Sequence, residues 1–224
     1  MKNLFTKNTF SSLSENPAGL TGLAVTLSII VSCLLTAIAQ GSSFFYISHY
    51  TKLLSLSIIF IVYVGIIIYL KISGRLSENC TVFMIILTGC FLRCGYVLLS
   101  GLYERQHDAG AYTGMGTGFV NPGHIGYIEY IYKFHKLPDI NPYELFAYYH
   151  PPLHHIISFL WLQLNIFLGV AEDLAFENLQ ILTLLYSCLC MAVTWRILKV
   201  LEIKGKGLFI GLAFMAFHPA TIVM

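Results

Sequence analysis

The stretch FAYYHPPLHHII, residues 146–157, sets two prolines among aromatics and three histidines at the threshold of a long apolar run. Upstream, Glu104 and Asp108 follow another apolar run, and six of the eight histidines fall between 107 and 155. A positioned carboxylate can take a proton from a nucleophile, a general-base role worth roughly two to four orders of magnitude in rate. The competing reading of either acid is a solvated loop carboxylate. The histidines suit hydrogen bonding to a polar ligand or capping of a helix. HPPLHH has no acid between His150 and His154, unlike the HExxH helix of zinc proteases, and spacing without a defined ligand set is weak ground for a metal. AGAYTGMGTG after Asp108 lacks the GK[ST] ending and preceding strand of a phosphate loop, so it reads as flexible backbone rather than a nucleotide site.

These residues must be positioned by membrane helices. Of the 224 residues, 57% are hydrophobic and 11% charged, against about a quarter charged in soluble domains. Apolar runs near the roughly 20 residues needed to cross hydrocarbon predict an all-α, polytopic, integral membrane protein. Spans are predicted at Leu20–Ala39, an uncleaved anchor because it is longer than a signal core, at Leu53–Leu70, and at Val82–Leu99. Lys71 and Arg75 make the loop after the second span cytoplasmic, which sends residues 102–150 to the extracytoplasmic side. Residues 153–170, 179–195 and 208–224 are also apolar. Six spans would put the basic WRILKVLEIKGKG outside and acidic AEDLAFEN inside, against the positive-inside rule. Five spans, with residues 151–170 along or dipping into the outer interface, remove that conflict. The apolar finish at Met224 reads as the front part of a longer protein. The net charge of +2 carries no basic cluster for nucleic acid, and the cysteines in apolar runs read as free thiols. Arg93 lies mid-span, where an ionisable group is a functional candidate by default, partnered by a lipid phosphate or another helix unless it snorkels to an interface.

A loop of nearly fifty residues suggests function rather than connection. In GHIGYIEYIYKFHK, Gly126, Glu129, Lys133 and Lys136 form a polar stripe, and Ile125, Ile128, Ile131 and Phe134 an apolar side. This predicts a tyrosine-bearing interfacial helix ended by Pro138. A short helix is predicted from Asn141 to about Tyr149, with Asn141 as cap, Pro142 first and Glu144 third. His150 is expected to cap the next helix, whose first turn tolerates Pro151 and Pro152.

A span, ERQHD at 104–108, a loop with interfacial helices, and HPPL at 150–153 together resemble the polytopic C-type-fold glycosyltransferases that use polyprenyl-phosphate-linked sugars. These include protein O-mannosyltransferases and lipid A aminoarabinose transferases. The resemblance covers residues 80–224, as the N-terminal part of the family's membrane domain (82–224), preceded by two helices and a cytoplasmic loop (1–81). The family often has adjacent acids where this chain separates Glu104 from Asp108, and its members usually have one preceding span and many more following ones.

The resemblance implies transfer of a sugar from a polyprenyl-phosphate donor to an extracytoplasmic glycan, lipid or protein of the cell envelope. Asp108 would be the base and Glu104 an alternative or helper. Arg105 would face the lipid phosphate, Lys133 and Lys136 being further candidates that read more simply as a solvated helix face, with His107, Tyr149, His150, His154, His155 and His218 around the sugar phosphate. No cofactor is required, and a divalent metal is left open. The rival is a non-catalytic membrane accessory or binding subunit, or a truncated half of such an enzyme.

Overall fold

A computed structural model describes residues 17–102, 123–139, 141, 143 and 146–222, with no strand among them. Four helices are long and apolar enough to cross a membrane. They are α1 (Pro17–Gln40), α2 (His49–Ile72), α3 (Glu78–Leu99) and, after the intervening elements, α7 (Gln180–Val200). At about 1.5 Å per residue each covers roughly the 30 Å of hydrocarbon. Leu53, Ile58, Ile61, Val62 and Ile66 of α2 are all exposed. In water such a stripe would be an aggregation surface, whereas in lipid an outward isoleucine face is ordinary. The regular elements among the described residues are all helices, and the chain has the composition of a helical membrane protein.

Between these lie α4 (His124–Phe134), a 3₁₀ turn (Phe146–Tyr149), α5 (Leu153–Phe167) and α6 (Glu172–Glu177). α8 (Gly205–Phe217) and the four-residue α9 (Pro219–Ile222) follow α7. α5 and α8, with 15 and 13 residues, each fall short of the roughly 20 needed to span. The predicted last span is interrupted at Pro219, which has no N–H for the carbonyl four residues back.

The chain forms two compact units, residues 1–35, 53–96 and 184–224 in one and 36–52 and 97–183 in the other. In the first, Ile29 and Cys33 of α1, Ile86 and Cys90 of α3, Cys188, Met191 and Trp195 of α7, and Leu208 and Leu212 of α8 are buried. All six cysteines are free thiols, four of them buried. A Cβ on Gly89 would stand 2.5 Å from Met191 Sδ and 3.1 Å from the Ala216 Cβ, so small residues set the helix approach here.

Beside this contact Arg93, 1% exposed, neither snorkels nor waits for a lipid. Its Nε donates to Ser187 Oγ at 2.7 Å and its Nη1 to the Gly89 and Ala216 carbonyls at 3.1 and 2.8 Å. Nη2 donates to the Met215 carbonyl and Thr221 Oγ1, each at 3.1 Å. All five N–H groups are therefore engaged. Met215 and Ala216 close α8, and Pro219 leaves the Met215 carbonyl without its helical donor. The guanidinium fills that place at the negative end of the helix dipole.

In the second unit Leu102, Ile125, Ile128, Leu162, Ala175, Phe176 and Leu179 form the core, with Phe159 and Trp161 against it. α6 organises the polar groups. Glu177 Oε2 accepts the Leu102 N–H and the Gln180 amide, both at 2.9 Å. Asn178 donates to Asn165 Oδ1 at 2.8 Å and to the Ala37 carbonyl at 3.2 Å, while its own carbonyl accepts Trp161 Nε1 at 2.8 Å. AEDLAFEN, legible in sequence only as an acidic loop, thus ties α1, α5 and the end of α3 together.

Candidate functional site

α4 and α5 carry a histidine cluster. α4 buries Ile125, Ile128 and Ile131 as its spacing predicts, but also Gly126 and Tyr127, and it leaves Phe134 exposed. The polar stripe is therefore narrower than predicted. The helix ends before Pro138, at His135, whose left-handed φ of 51° lets its N–H return to the Ile131 carbonyl. α5 begins at Leu153 with Pro152 in the cap position and no side chain capping it. His150 is therefore not the cap. The Asn141 side chain accepts the Tyr143 N–H at 3.1 Å, as a capping residue would. Pro142 and Glu144, expected to continue that helix, lie outside the described residues, and Phe146–Tyr149 forms a 3₁₀ turn.

These boundaries bring four imidazoles together. His155 is 1% exposed, and its Nε2 lies 3.1 Å from His124 Nδ1. The His124 ring is 5.0 Å from that of His150, and the His155 ring 5.8 Å from that of His154. Tyr127 stacks flat on His155 at 4.0 Å and meets Tyr148 at 4.9 Å, and Tyr149 sets its edge against His150. The α4/α5 packing selects this arrangement because Tyr127 and His124, three residues apart, share one helix face.

Burial, with His124 and His154 adding to it, pushes the His155 pKa down to about 4, partly opposed by the Pro151 carbonyl one turn back. His154, on the outer side of α5, is pushed down by partial desolvation and then by His124. Burial raises Tyr127, and burial followed by the Glu129 carboxylate raises Tyr148. At neutral pH His155 is therefore a neutral ring. In the His124–His155 bond one nitrogen donates and the other accepts, and His155 Nδ1 is buried without a hydrogen-bond partner of good geometry. Such a pair can pass a proton or orient a hydroxyl. His155 itself supplies no positive charge to a phosphate at neutral pH. No set of three or more His, Cys, Asp or Glu among the described residues is arranged to hold a metal ion.

Of the residues singled out in sequence, Tyr149, His150, His154 and His155 come together. His218 belongs to the first unit, where it ends α8 with its ring 4.9 Å from Phe214. Glu104, Arg105, His107 and Asp108 lie outside the described residues. His124, Tyr127 and Tyr148 were missed. His124 opens its helix directly after the glycine-rich loop, a position that could have marked it, whereas nothing local distinguishes Tyr127 from its neighbouring tyrosines. No protein-family model, curated protein or solved structure matches this chain.

Proposed function

We propose that the chain is a membrane glycosyltransferase, or the N-terminal part of one, that moves a sugar from a polyprenyl-phosphate donor to an extracytoplasmic acceptor. The order of features in the sequence supports this, from span and acidic loop through the α4 helix to HPPL. The observation that carries it furthest is that the HPPL helix and the preceding helix bring His124, His150, His154 and His155 to one place. In the reaction the acceptor oxygen attacks the anomeric carbon, Asp108 takes its proton, and the bond to the phosphate oxygen breaks with its electron pair leaving on the lipid phosphate. Glu104 is the alternative or helping carboxylate. The His155–His124 pair holds sugar or phosphate oxygens by hydrogen bonds, and the phosphate's charge is met by Arg105. In this reading α1 runs outward, α2 returns, α3 delivers the loop outside, and α5 lies along or dips into the outer interface.

The test is consumption of polyprenyl-phosphate sugars by the purified chain in nanodiscs, with Asp108→Asn and Glu104→Gln beside it. Loss of turnover in Asp108→Asn with folding retained is expected. Turnover unchanged in both variants, or no consumption of any donor, would overturn the reading.

A further inference from the structure

An open groove of 420 Å³ runs between α1 and α7, wholly within the first unit. Thr26 belongs to its α1 wall, and Leu189, Ala192, Val193, Arg196 and Val200 to its α7 wall. Those α7 positions recur three or four residues apart, so they form one stripe along the helix. At about 1.5 Å per residue the stripe from Leu189 to Val200 is roughly 16 Å long, about half the 30 Å of hydrocarbon and so one leaflet deep. Leu189, Val193 and Val200 are exposed, and Ala192, with nothing beyond its Cβ, leaves the hollow between them.

One end of the stripe is cationic. A Cβ on Gly22 would stand 3.4 Å from Arg196 Nη2 and 3.9 Å from Arg196 Cζ, so the guanidinium occupies the room that this glycine leaves, at the start of the apolar α1 span Thr21–Gln40. This is the level at which hydrocarbon gives way to headgroups. Arg196 Cζ lies 5.5 Å from the centre of the buried Trp195 ring, a contact that steadies the guanidinium without using an N–H. Arg196 is exposed, and no described residue accepts a hydrogen bond from its guanidinium or brings a carboxylate within ion-pair distance of it. The Thr26 hydroxyl, the other polar group of the groove, already donates to the Gly22 carbonyl at 2.9 Å. Lys199, Lys204 and Lys206 follow in the sequence with Glu202 as the one acid among them. The groove therefore joins a leaflet-deep apolar stripe to a forked cation whose donors no described residue takes.

We propose that this groove binds an anionic phospholipid, with an acyl chain along the stripe from Leu189 to Val200 and the phosphate on the Arg196 fork. The planar guanidinium matches two phosphate oxygens at once, and the basic residues beyond it favour a headgroup of net negative charge. A neutral diglyceride would cover the stripe and leave Arg196 unanswered. A soluble phosphate ester would answer Arg196 and leave the stripe bare. A phospholipid satisfies both.

The test titrates dioctanoylphosphatidylglycerol, dioctanoylphosphatidylcholine, dioctanoylglycerol and glycerol phosphate into the detergent-purified full chain, read by native mass spectrometry and melting temperature. The phosphatidylglycerol is expected to bind saturably, at least about tenfold more tightly than the neutral diglyceride and severalfold more tightly than the choline lipid. Glycerol phosphate, without a chain for the stripe, should not displace it. Arg196→Gln should lose about tenfold for phosphatidylglycerol while its unliganded melting temperature holds, since the guanidinium bonds to no described residue. Arg196→Lys keeps the charge without the fork and should fall between the two. Ala192→Phe, which fills the hollow and leaves the charge, should block binding of both phospholipids. Arg75→Gln makes the same charge change at another exposed arginine and should leave binding unchanged. Equal binding of the three lipids, displacement by glycerol phosphate, undiminished binding by Arg196→Gln, or an equal loss in Arg75→Gln would overturn the proposal.

Discussion

Arg93 and Pro219 are 126 residues apart in sequence, yet both act on one carbonyl, and this predicts a specific non-additivity. Pro219 denies the Met215 carbonyl its helical N–H, and Arg93 Nη2 supplies a donor at 3.1 Å while Nη1 holds the Ala216 carbonyl at 2.8 Å. Arg93→Met keeps an unbranched side chain and removes every donor. The Ala216 carbonyl is then left unserved, at about 1–3 kcal/mol, and the charge at the α8 terminus is lost, at about 1–2 kcal/mol in a buried setting. The Met215 carbonyl still accepts Thr221 Oγ1 at 3.0 Å, so its loss is partial. A destabilisation of about 2–5 kcal/mol is expected for helix dissociation in detergent, where the arginine's insertion penalty is common to both states. Pro219→Ala alone should cost no more than about 1 kcal/mol, because it frees the unfolded chain while offering an N–H that Arg93 makes redundant. In the Arg93→Met background the same N–H replaces a missing donor and lets α8 run on into α9, giving the Ala216 carbonyl a partner too. The double variant should therefore be more stable than the sum of the single effects by about 1–2 kcal/mol. Equilibrium unfolding of the four proteins by denaturing-detergent titration, followed by circular dichroism and tryptophan fluorescence, measures this. Additivity within about 0.5 kcal/mol would refute the capping account.

Unfolded, His155 takes a proton below about pH 6.5; folded, it does so only below about 4, so between those values the folded state holds fewer protons and stability rises with pH. About 3 kcal/mol, present in full above 6.5, should be lost as the pH falls through this window, and His155→Phe should flatten that part of the curve of stability against pH. Gly89→Val, which would drive methyl groups into Met191 and Ala216, should cost about 2–3 kcal/mol or prevent stable expression, whereas Gly65→Val, facing open space, should leave the melting temperature within a few degrees. Topology is open to cysteine labelling at Lys204 in a cysteine-free background: modification only from the cytoplasmic face is expected, and labelling from outside would sink the five-span arrangement.

The long helices were legible because their cause is local. Eighteen or more apolar residues in sequence demand internal hydrogen bonding whatever else the chain does, and the first three predicted spans lie within α1, α2 and α3, which extend beyond them by at most four residues at either end. Helix ends were less legible. Pro138 only bounds where α4 must have stopped, and the actual stop depends on His135 entering a left-handed conformation that its residue type permits without requiring. HPPLHH was visible as a cluster of candidates, but His124 joins it from 31 residues away through packing of α4 on α5. Its place after the glycine-rich loop could have marked it as a candidate, but not as a partner of HPPLHH.

The sequence by itself determined the solvent in which this chain folds, the helical class that solvent imposes, and the concentration of polar chemistry in one loop and its flanks. Tertiary structure alone decided what each isolated polar residue does. Arg93 became a helix cap through acceptors contributed by α7, α8 and α9, His155 became a neutral ring because Tyr127 and two histidines exclude water from it, and Arg196 was left at the end of an apolar groove between α1 and α7. The physical reason is range. Hydrophobic periodicity acts over one helix, whereas a charge or an imidazole in a low-dielectric interior takes its state from whichever groups distant parts of the chain bring against it.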